Sequence, residues 1–409
     1  MTNQVRRAVL AFAALAVIVT AAGWTSYASA RGSAPPPYAR VLRPKLDALL
    51  EALLVPGAVV AVRSRELEDW SAGFGSGQLG AFQPLGVHNH FRIASNTKTM
   101  TGTVILQLVQ EGKLRLDDPV SRHRLNVPNG ENITIEQLLN MSSGLFNYTE
   151  AKEWQQTVDP TPLRVWAPEE LLAIAFAHEP YPFRPGEGFH YSNTNTLLLG
   201  LIIEQLTGDP LDKAFEERIF KPLGLANTFL PKLSSAAIPQ PHPQGYLFGT
   251  FANSQATGGV LPPDQQAAAK AGTLKPNDVT NTNPSFGWAA GGVISTADDL
   301  ARYVKALVGG GLLNRHLQQL RLDSMREVER GYRYGYNIDS LGPLIGHGGD
   351  ILGFTSVIYH DPERQLTVVI FTTLNYSPDG TKGVVEVFRA VTTELYGRPV
   401  IPGPDNPDF

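Results

Sequence analysis

Ser95 and Lys98, in the run Ser95-Asn96-Thr97-Lys98, stand where the strand-like Phe91-Arg92-Ile93 gives way to a helical pattern. At a helix start a serine hydroxyl faces unpaired backbone N–H groups and the positive end of the helix dipole. A side chain three residues on lies one turn away on the same face. A lysine placed there loses its proton more readily when partly desolvated, and can then take the proton of the serine. Ser-X-X-Lys alone is a common tetrad, so its weight depends on what accompanies it. Tyr191-Ser192-Asn193 follows the Pro185-Gly186 turn and opens another helical stretch, so a phenol and an amide can face one cleft. Taken singly, Tyr191 also suits a core and Asn193 a helix cap. His347-Gly348-Gly349 precedes a strand pattern over 354–359. Its glycines let a substrate lie against exposed backbone, and they equally suit a hairpin turn. The three runs occur together, each at the boundary of an element.

Other chemistries are poorly supplied. With no cysteine there is no disulfide framework, thiolate metal site, catalytic thiol or lipid-attachable cysteine, which leaves oxygen or amine nucleophiles. Gly75-Ser76-Gly77-Gln78-Leu79-Gly80 has the glycine spacing of a dinucleotide loop, but Pro84 follows where a helix would have to begin, and the run reads as a hairpin turn. His88-Asn89-His90 offers two metal ligands with no second cluster among nine histidines, and reads as polar residues at a strand edge. No Gly-X-Ser-X-Gly elbow is present.

The elements that must hold these residues follow from periodicity. Alternation predicts strands over 57–62 and 69–74, and Met100, Val104, Leu108 and Val109 share one face of a helix that stops near Gly112. Thr134-Ile135-Glu136-Gln137 is a capping box, Pro168 starts a further helix, and helical spacing runs over 193–207. Residues 231–285, rich in Pro, Gly, Asn and Gln, predict an extended loop region over the surface. A helix capped by Thr296 and Asp299 precedes strands over 332–338, 354–359 and 366–373, and a last helix covers 384–396. Strands at both ends around a helical middle predict one sheet built from both termini with the middle inserted as a second domain.

The chain of 409 residues can bury a large core, and 34 basic against 38 acidic side chains give a net charge of −4, which makes nucleic acid an unsuitable partner. Residues 1–30 read as an export signal. Arg6 and Arg7 form a basic start, an apolar stretch follows, and Ala28-Ser29-Ala30 is a cleavage site. Uncleaved, the stretch is close to the length of a membrane span. Either way the catalytic body is expected outside the cytoplasm, with membrane contact only through an uncleaved leader. Residues 31–44 read as a linker containing the stiff spacer Gly32-Ser33-Ala34-Pro35-Pro36-Pro37, 45–398 as the folded body with a helical part roughly over 112–285, and 399–409 as a tail.

In these motifs the chain resembles the serine penicillin-recognising hydrolases: class C β-lactamases, a group of D-alanyl-D-alanine carboxypeptidases, and related esterases. That family's Ser-X-X-Lys, Tyr-X-Asn and Lys/His-X-Gly correspond to Ser95 and Lys98, Tyr191 and Asn193, and His347 and Gly349. The text around them agrees from about residue 45 to 398. The resemblance implies an α/β fold of the α+β kind, an antiparallel sheet flanked by helices with an inserted all-helical domain, and the active site between them. It also implies acyl transfer. Ser95 attacks, Lys98 and Tyr191 move protons, Asn193 holds the substrate amide, and His347, Gly348 and Gly349 line the site. The backbone N–H groups of Ser95 and Asp350 form the oxyanion hole. Neither a metal nor an organic cofactor is implied. The expected substrate is a small peptide, ester or β-lactam, with peptidoglycan as its cellular source. The leading expectation is a D-alanyl-D-alanine carboxypeptidase, with an esterase or a β-lactamase as the alternative and a catalytically silent penicillin-binding protein as the remote one.

One departure bears on substrate. Carboxypeptidases of that group hold the terminal carboxylate with an Arg five residues after the Tyr of a Tyr-Gly pair, and with hydroxyls beside the His-X-Gly. Here Tyr334-Gly335 is followed at that spacing by Asp339, with Arg333 the nearest cation, and Gly348 and Asp350 replace the hydroxyls. A carboxylate repels a carboxylate, and the bidentate fork needs a guanidinium. Poor turnover of free D-Ala-D-Ala termini follows, with better turnover of neutral esters, thioesters or amidated peptides.

Overall fold

The computed structural model describes residues 34–124 and 126–400. Its helices include α1 (Pro37–Ala52), α2 (Thr97–Gln110), α3 (Asn193–Thr207), α4 (Ala297–Gly309) and α5 (Gly383–Tyr396). The main sheet contains β1 (Gly57–Ser64), β2 (Trp70–Gly75), β3 (Arg326–Glu329), β4 (Tyr332–Tyr334), β5 (Asp339–Leu341), β6 (Leu344–Ile351), β7 (Phe354–Asp361) and β8 (Leu366–Thr372). They lie in the order β2-β1-β8-β7-β6-β5-β4-β3, antiparallel throughout. β1 pairs with β8, Ala58 opposite Thr372 through Ser64 opposite Leu366, so the two ends of the chain close one sheet.

Each face of this sheet is covered. Alternate residues Ala58, Val60, Val62, Val368 and Ile370 belong to one core with Leu42, Leu46 and Leu50 of α1 and Val387, Phe388 and Val391 of α5. Val59, Ala61, Val369 and Phe371 enter a second core with α2, α3 and α4. Burial on both faces explains why β1 reads Gly-Ala-Val-Val-Ala-Val with little polar alternation.

Most expected elements are present within a few residues. The Thr134–Gln137 capping box forms with its reciprocal bonds, at 3.3 and 2.9 Å, and Thr296 caps α4 by accepting from the Asp299 N–H. Four expectations need correction. Helix α1 starts at Pro37, inside the stretch read as a linker, because Pro at the first helical position and the spacing Ala39, Leu42, Leu46, Leu50 outweigh the proline run before it. Residues 231–285 are no plain surface loop: they carry helices Phe251–Thr257 and Pro263–Lys270 and the short pair of Tyr246–Leu247 with Asn277–Asp278. The run 332–338 breaks after Tyr334, where Asn337 adopts φ 52°. His347-Gly348-Gly349 lies inside β6 and is not a turn. Glycines depress strand propensity, so the pattern concealed a strand whose neighbours supply the ladder. Among the described residues no helix is long and apolar enough to cross a membrane. The segment 1–30 read as a leader lies outside them.

Candidate active site

The short strand Phe91–Arg92, paired with Ile294–Ser295, delivers the chain to a tight turn over Ala94–Asn96 that runs into α2. Ala94 holds φ 51°, a left-handed conformation that costs a non-glycine residue roughly a kcal/mol or more and persists where the surroundings over-determine it. Those surroundings are explicit. Asn96 Nδ2 donates to Ile93 O at 2.8 Å and to Ser356 Oγ at 2.7 Å, and Ser356 Oγ donates to Ile93 O at 3.0 Å, so the turn is bonded to β7. A Cβ at Gly349 would stand 2.4 Å from Ile93 O and 2.6 Å from Ser356 Oγ. Glycine there is what lets β6 pass against the turn that carries Ser95.

Lys98 sits in the first turn of α2, fully buried. Its Nζ lies 2.9 Å from Ser95 Oγ, 2.7 Å from Asn193 Oδ1 and 2.9 Å from Ala290 O. The Asn193 amide is oriented by Nδ2, which donates to Thr149 Oγ1 at 3.2 Å and Asn147 Oδ1 at 3.3 Å. Its Oδ1 can therefore only accept, as can the Ala290 carbonyl. A neutral amine has two N–H groups and one lone pair. The two obligate acceptors take both N–H groups, leaving the lone pair facing the one partner that can donate, the Ser95 hydroxyl. Burial drives the Lys98 pKa well below that of an ordinary lysine, in the direction this arrangement requires.

Tyr191 closes the other side. Its ring centre is 4.8 Å from Lys98 Nζ and its phenol bonds the Ser95 hydroxyl, while burial pushes its pKa upward, so it rests as a neutral donor. His347, on β6, is buried behind it, with ring centres 6.2 Å apart. Burial, with the nearby Lys98, lowers the His347 pKa to about 3. The neutral ring donates from Nδ1 to Gly348 O at 2.5 Å and accepts at Nε2 from Tyr334 Oη at 3.3 Å.

The oxyanion site follows from ladder parity. Ile351 and Phe354 close the β6–β7 hairpin, and alternation back from that pair turns the Gly349 amide toward β7 and those of Gly348 and Asp350 away from it. On that side β6 pairs with β5 only as far as Gly346 opposite Asp339, leaving the Asp350 N–H to the cleft beside Ser95. The Asp350 carboxylate is engaged elsewhere: Oδ1 accepts from Asn375 Nδ2 at 2.6 Å, and Oδ2 is 4.0 Å from Lys382 Nζ.

Two cavities of about 360 Å³ each meet at Ser95. Asn193 lines one, with Asn147, Phe251, Gln255 and Phe286, so the region read as surface loop builds its wall. His347 lines the other, with Asp339, Tyr332, Val357 and Phe388. The spacing that pointed to Asp339 is thus met in space: its carboxyl faces the cleft where an anchoring cation was sought. Arg333 turns away and donates to Met325 O at 2.6 Å. Lys382, the one cation lining the His347-side cavity among the described residues, is beside Asp350.

A sequence profile of the beta-lactamase family matches residues 43–391. The chain belongs to that family. It is a serine hydrolase of the beta-lactamase and penicillin-binding-protein superfamily. The D-stereospecific amidohydrolase of Streptomyces sp. is similar to it at 30% identity and TM-score 0.71, covering 87% of this chain and 98% of that one. The D-amino acid amidase of Ochrobactrum anthropi SV3, solved with D-phenylalanine, shares the fold at 24% identity and TM-score 0.73, over 87% and 99% of the two chains. Protein Rv1367c of Mycobacterium tuberculosis is 29% identical over 341 residues, 73% of this chain and 80% of its own.

Within the beta-lactamase fold seven of the eight residues named from sequence line the two cavities that meet at Ser95, and the eighth, Lys98, is buried beneath them and bonded to Ser95. Sequence reasoning missed Asn147, Thr149 and the Ala290 carbonyl, which orient Asn193 and Lys98. Asn147 and Thr149 flank Tyr148 in a loop without periodicity, and a carbonyl has no side-chain signal. His88, exposed with Nδ1 3.7 Å from Asp298, and the buried His90 lie outside the cleft.

Proposed function

We propose that this protein hydrolyses amides and esters of D-configured acyl groups through a covalent ester on Ser95, as an amidase or esterase and not as a carboxypeptidase. The observation that carries the reading is Lys98 Nζ held 2.9 Å from Ser95 Oγ and bonded to two obligate acceptors, beside a His347-side cavity that no arginine lines among the described residues. Likeness to the D-stereospecific amidohydrolase supports the acyl configuration.

Lys98 takes the Ser95 proton as Oγ bonds to the substrate carbonyl carbon, and the carbonyl π pair moves onto oxygen. The N–H groups of Ser95 and Asp350 meet that charge; removing one such donor typically costs about 100- to 1,000-fold in rate. Tyr191 gives its proton to the departing nitrogen or oxygen and is reprotonated from Lys98 as the scissile bond breaks. Water, deprotonated by the same pair, then releases the acid and restores Ser95. Tyr191 and Ser95 line both cavities, Asn193 only one and His347 only the other, so the acyl chain lies along Asn193 and the leaving group toward His347. The leader read at residues 1–30 supports work outside the cytoplasm.

The test compares kcat/KM for D-phenylalanine amide, a D-aminoacyl p-nitrophenyl ester, a peptide ending in D-Ala-D-Ala and its C-terminal amide. Turnover of the D-amide and ester is expected, abolished in Ser95→Ala, with the peptide amide preferred over the free acid. A tenfold preference for the free acid, about 1.4 kcal/mol, would overturn the reading.

A further inference from the structure

The carboxyl of Asp339 is 2% exposed, its Oδ1 has no hydrogen-bond partner among the described residues, and it lines the leaving-group cavity. A buried acceptor left unsatisfied is destabilising, and more so when charged. Its other oxygen is supported: Tyr332 Oη is 3.4 Å from Oδ2, and the Tyr359 phenol and the Gly348 backbone also bond the carboxyl. His347 Nδ1 is 4.0 Å from Oδ2 and gives its proton to Gly348 O, so it makes no ion pair with Asp339. Burial raises the Asp339 pKa to about 7, and the surrounding phenols and amide offset only part of this. The side chain is thus bonded at Oδ2, while Oδ1 is itself buried and has no partner among the described residues. The cavity walls combine apolar Leu341, Val357, Val384 and Phe388 with the polar Tyr332 and Tyr359 and a second carboxylate, Glu329.

A cavity with an apolar stretch of wall and acidic side chains, Asp339 with its half-satisfied carboxyl and Glu329, fits a chain that ends in an N–H donor and rejects one that ends in an anion. Resting on the acyl-transfer reading, we propose that Asp339 is the specificity-determining residue of the leaving-group subsite, and that this subsite takes amine leaving groups whose apolar stem carries an N–H donor head, either an ammonium or a primary carboxamide. The Asp339 carboxyl, which lines the cavity, accepts one N–H from that head, with a small rotation of the side chain bringing its unpartnered oxygen to the donor. A carboxylate head meets like charge at Asp339, and the one cation lining the cavity among the described residues, Lys382, stands beside Asp350.

The test uses one D-phenylalanyl donor joined to alkyl amines of equal length that end in ammonium, carboxamide, methyl or carboxylate. Wild-type kcat/KM is expected to exceed that of the methyl compound by about tenfold for ammonium or carboxamide, and to fall below it for carboxylate. The two donor heads separate the sources: an ammonium-only gain identifies an ionised Asp339, and equal gains identify hydrogen bonding alone. In Asp339→Asn the ammonium advantage is expected to collapse and the carboxylate penalty to shrink, each read as a ratio within the variant. A flat series in the wild type, which needs no variant to fold, or unchanged ratios in Asp339→Asn, overturns the assignment. Labelling of Ser95 by a fluorophosphonate and hydrolysis of D-phenylalanine methyl ester, whose leaving group has no head, are run alongside. If both fail, the acyl-transfer reading itself has failed; if both succeed over a flat series, only Asp339 is misassigned.

Discussion

At the residue scale, the base is identified by counting donors and acceptors around Lys98 Nζ. Asn193 Oδ1 and Ala290 O must be given protons, so the third direction, toward Ser95, is where the lone pair stays. The active form of Lys98 is the neutral one. Its folded-state pKa is lowered by burial, so the neutral form persists to lower pH than an ordinary lysine allows, and activity is lost as pH falls through that lowered value. A kcat/KM profile for an ester substrate should show one acidic limb, with no requirement for the strongly alkaline pH at which an ordinary lysine becomes neutral. Lys98→Arg should lose about 100- to 10,000-fold, since a guanidinium stays protonated throughout. An acidic limb that survives unchanged in Lys98→Arg would assign the proton to another group.

At the scale of elements, the site depends on how closely β6 approaches the turn at Ala94–Asn96. Gly349 and Gly348 are adjacent on that strand and differ sharply in what a methyl group would meet. At Gly349 it lands on the Ile93 carbonyl and the Ser356 hydroxyl, whereas at Gly348 nothing lies nearer than Ser356 O at 4.0 Å. Gly349→Ala is therefore expected to displace the nucleophile turn, lowering the melting temperature by several degrees and fluorophosphonate labelling of Ser95 by at least about tenfold. Gly348→Ala should melt within about a degree or two of wild type. Equal melting temperatures for the two variants would show that the approach of β6 is not what constrains residue 349.

At the scale of the whole molecule, the outer face of the sheet depends on α1 as much as on α5, because Leu42 and Leu46 are completely buried with Val387 and Phe388 in one core. Leu46→Ala should cost about 2–5 kcal/mol, the range for a buried leucine truncated in a packed core. Chemical denaturation with the m-value held constant would measure it. A loss below about 1 kcal/mol would mean that α1 only rests on the sheet.

Much of the site was legible in the chain itself. Ser95, Lys98, Tyr191, Asn193 and His347 to Gly349 stood out because the three motifs occur together at expected element boundaries and resemble those of a known family, which also implied Asp350; side chains one helical turn apart, such as Ser95 and Lys98, share a face wherever that helix is placed. The resemblance also drew attention to Asp339, which stands at the spacing from Tyr334-Gly335 where the related carboxypeptidases carry an Arg. The sequence could not place the Asn147 and Thr149 side chains or the Ala290 carbonyl around Lys98, since those contacts join residues far apart in the chain and no local pattern encodes them. It misjudged β6, α1 and residues 231–285 for a related reason: glycine, proline and amide-rich stretches have low intrinsic propensity, and only neighbouring strands and helices supply the bonds and burial that order them. Residue types and local spacing determined which groups could react. Tertiary packing decided their protonation, by burying Lys98 among fixed acceptors and Asp339 at the edge of a cavity, because desolvation depends on what surrounds a group in space.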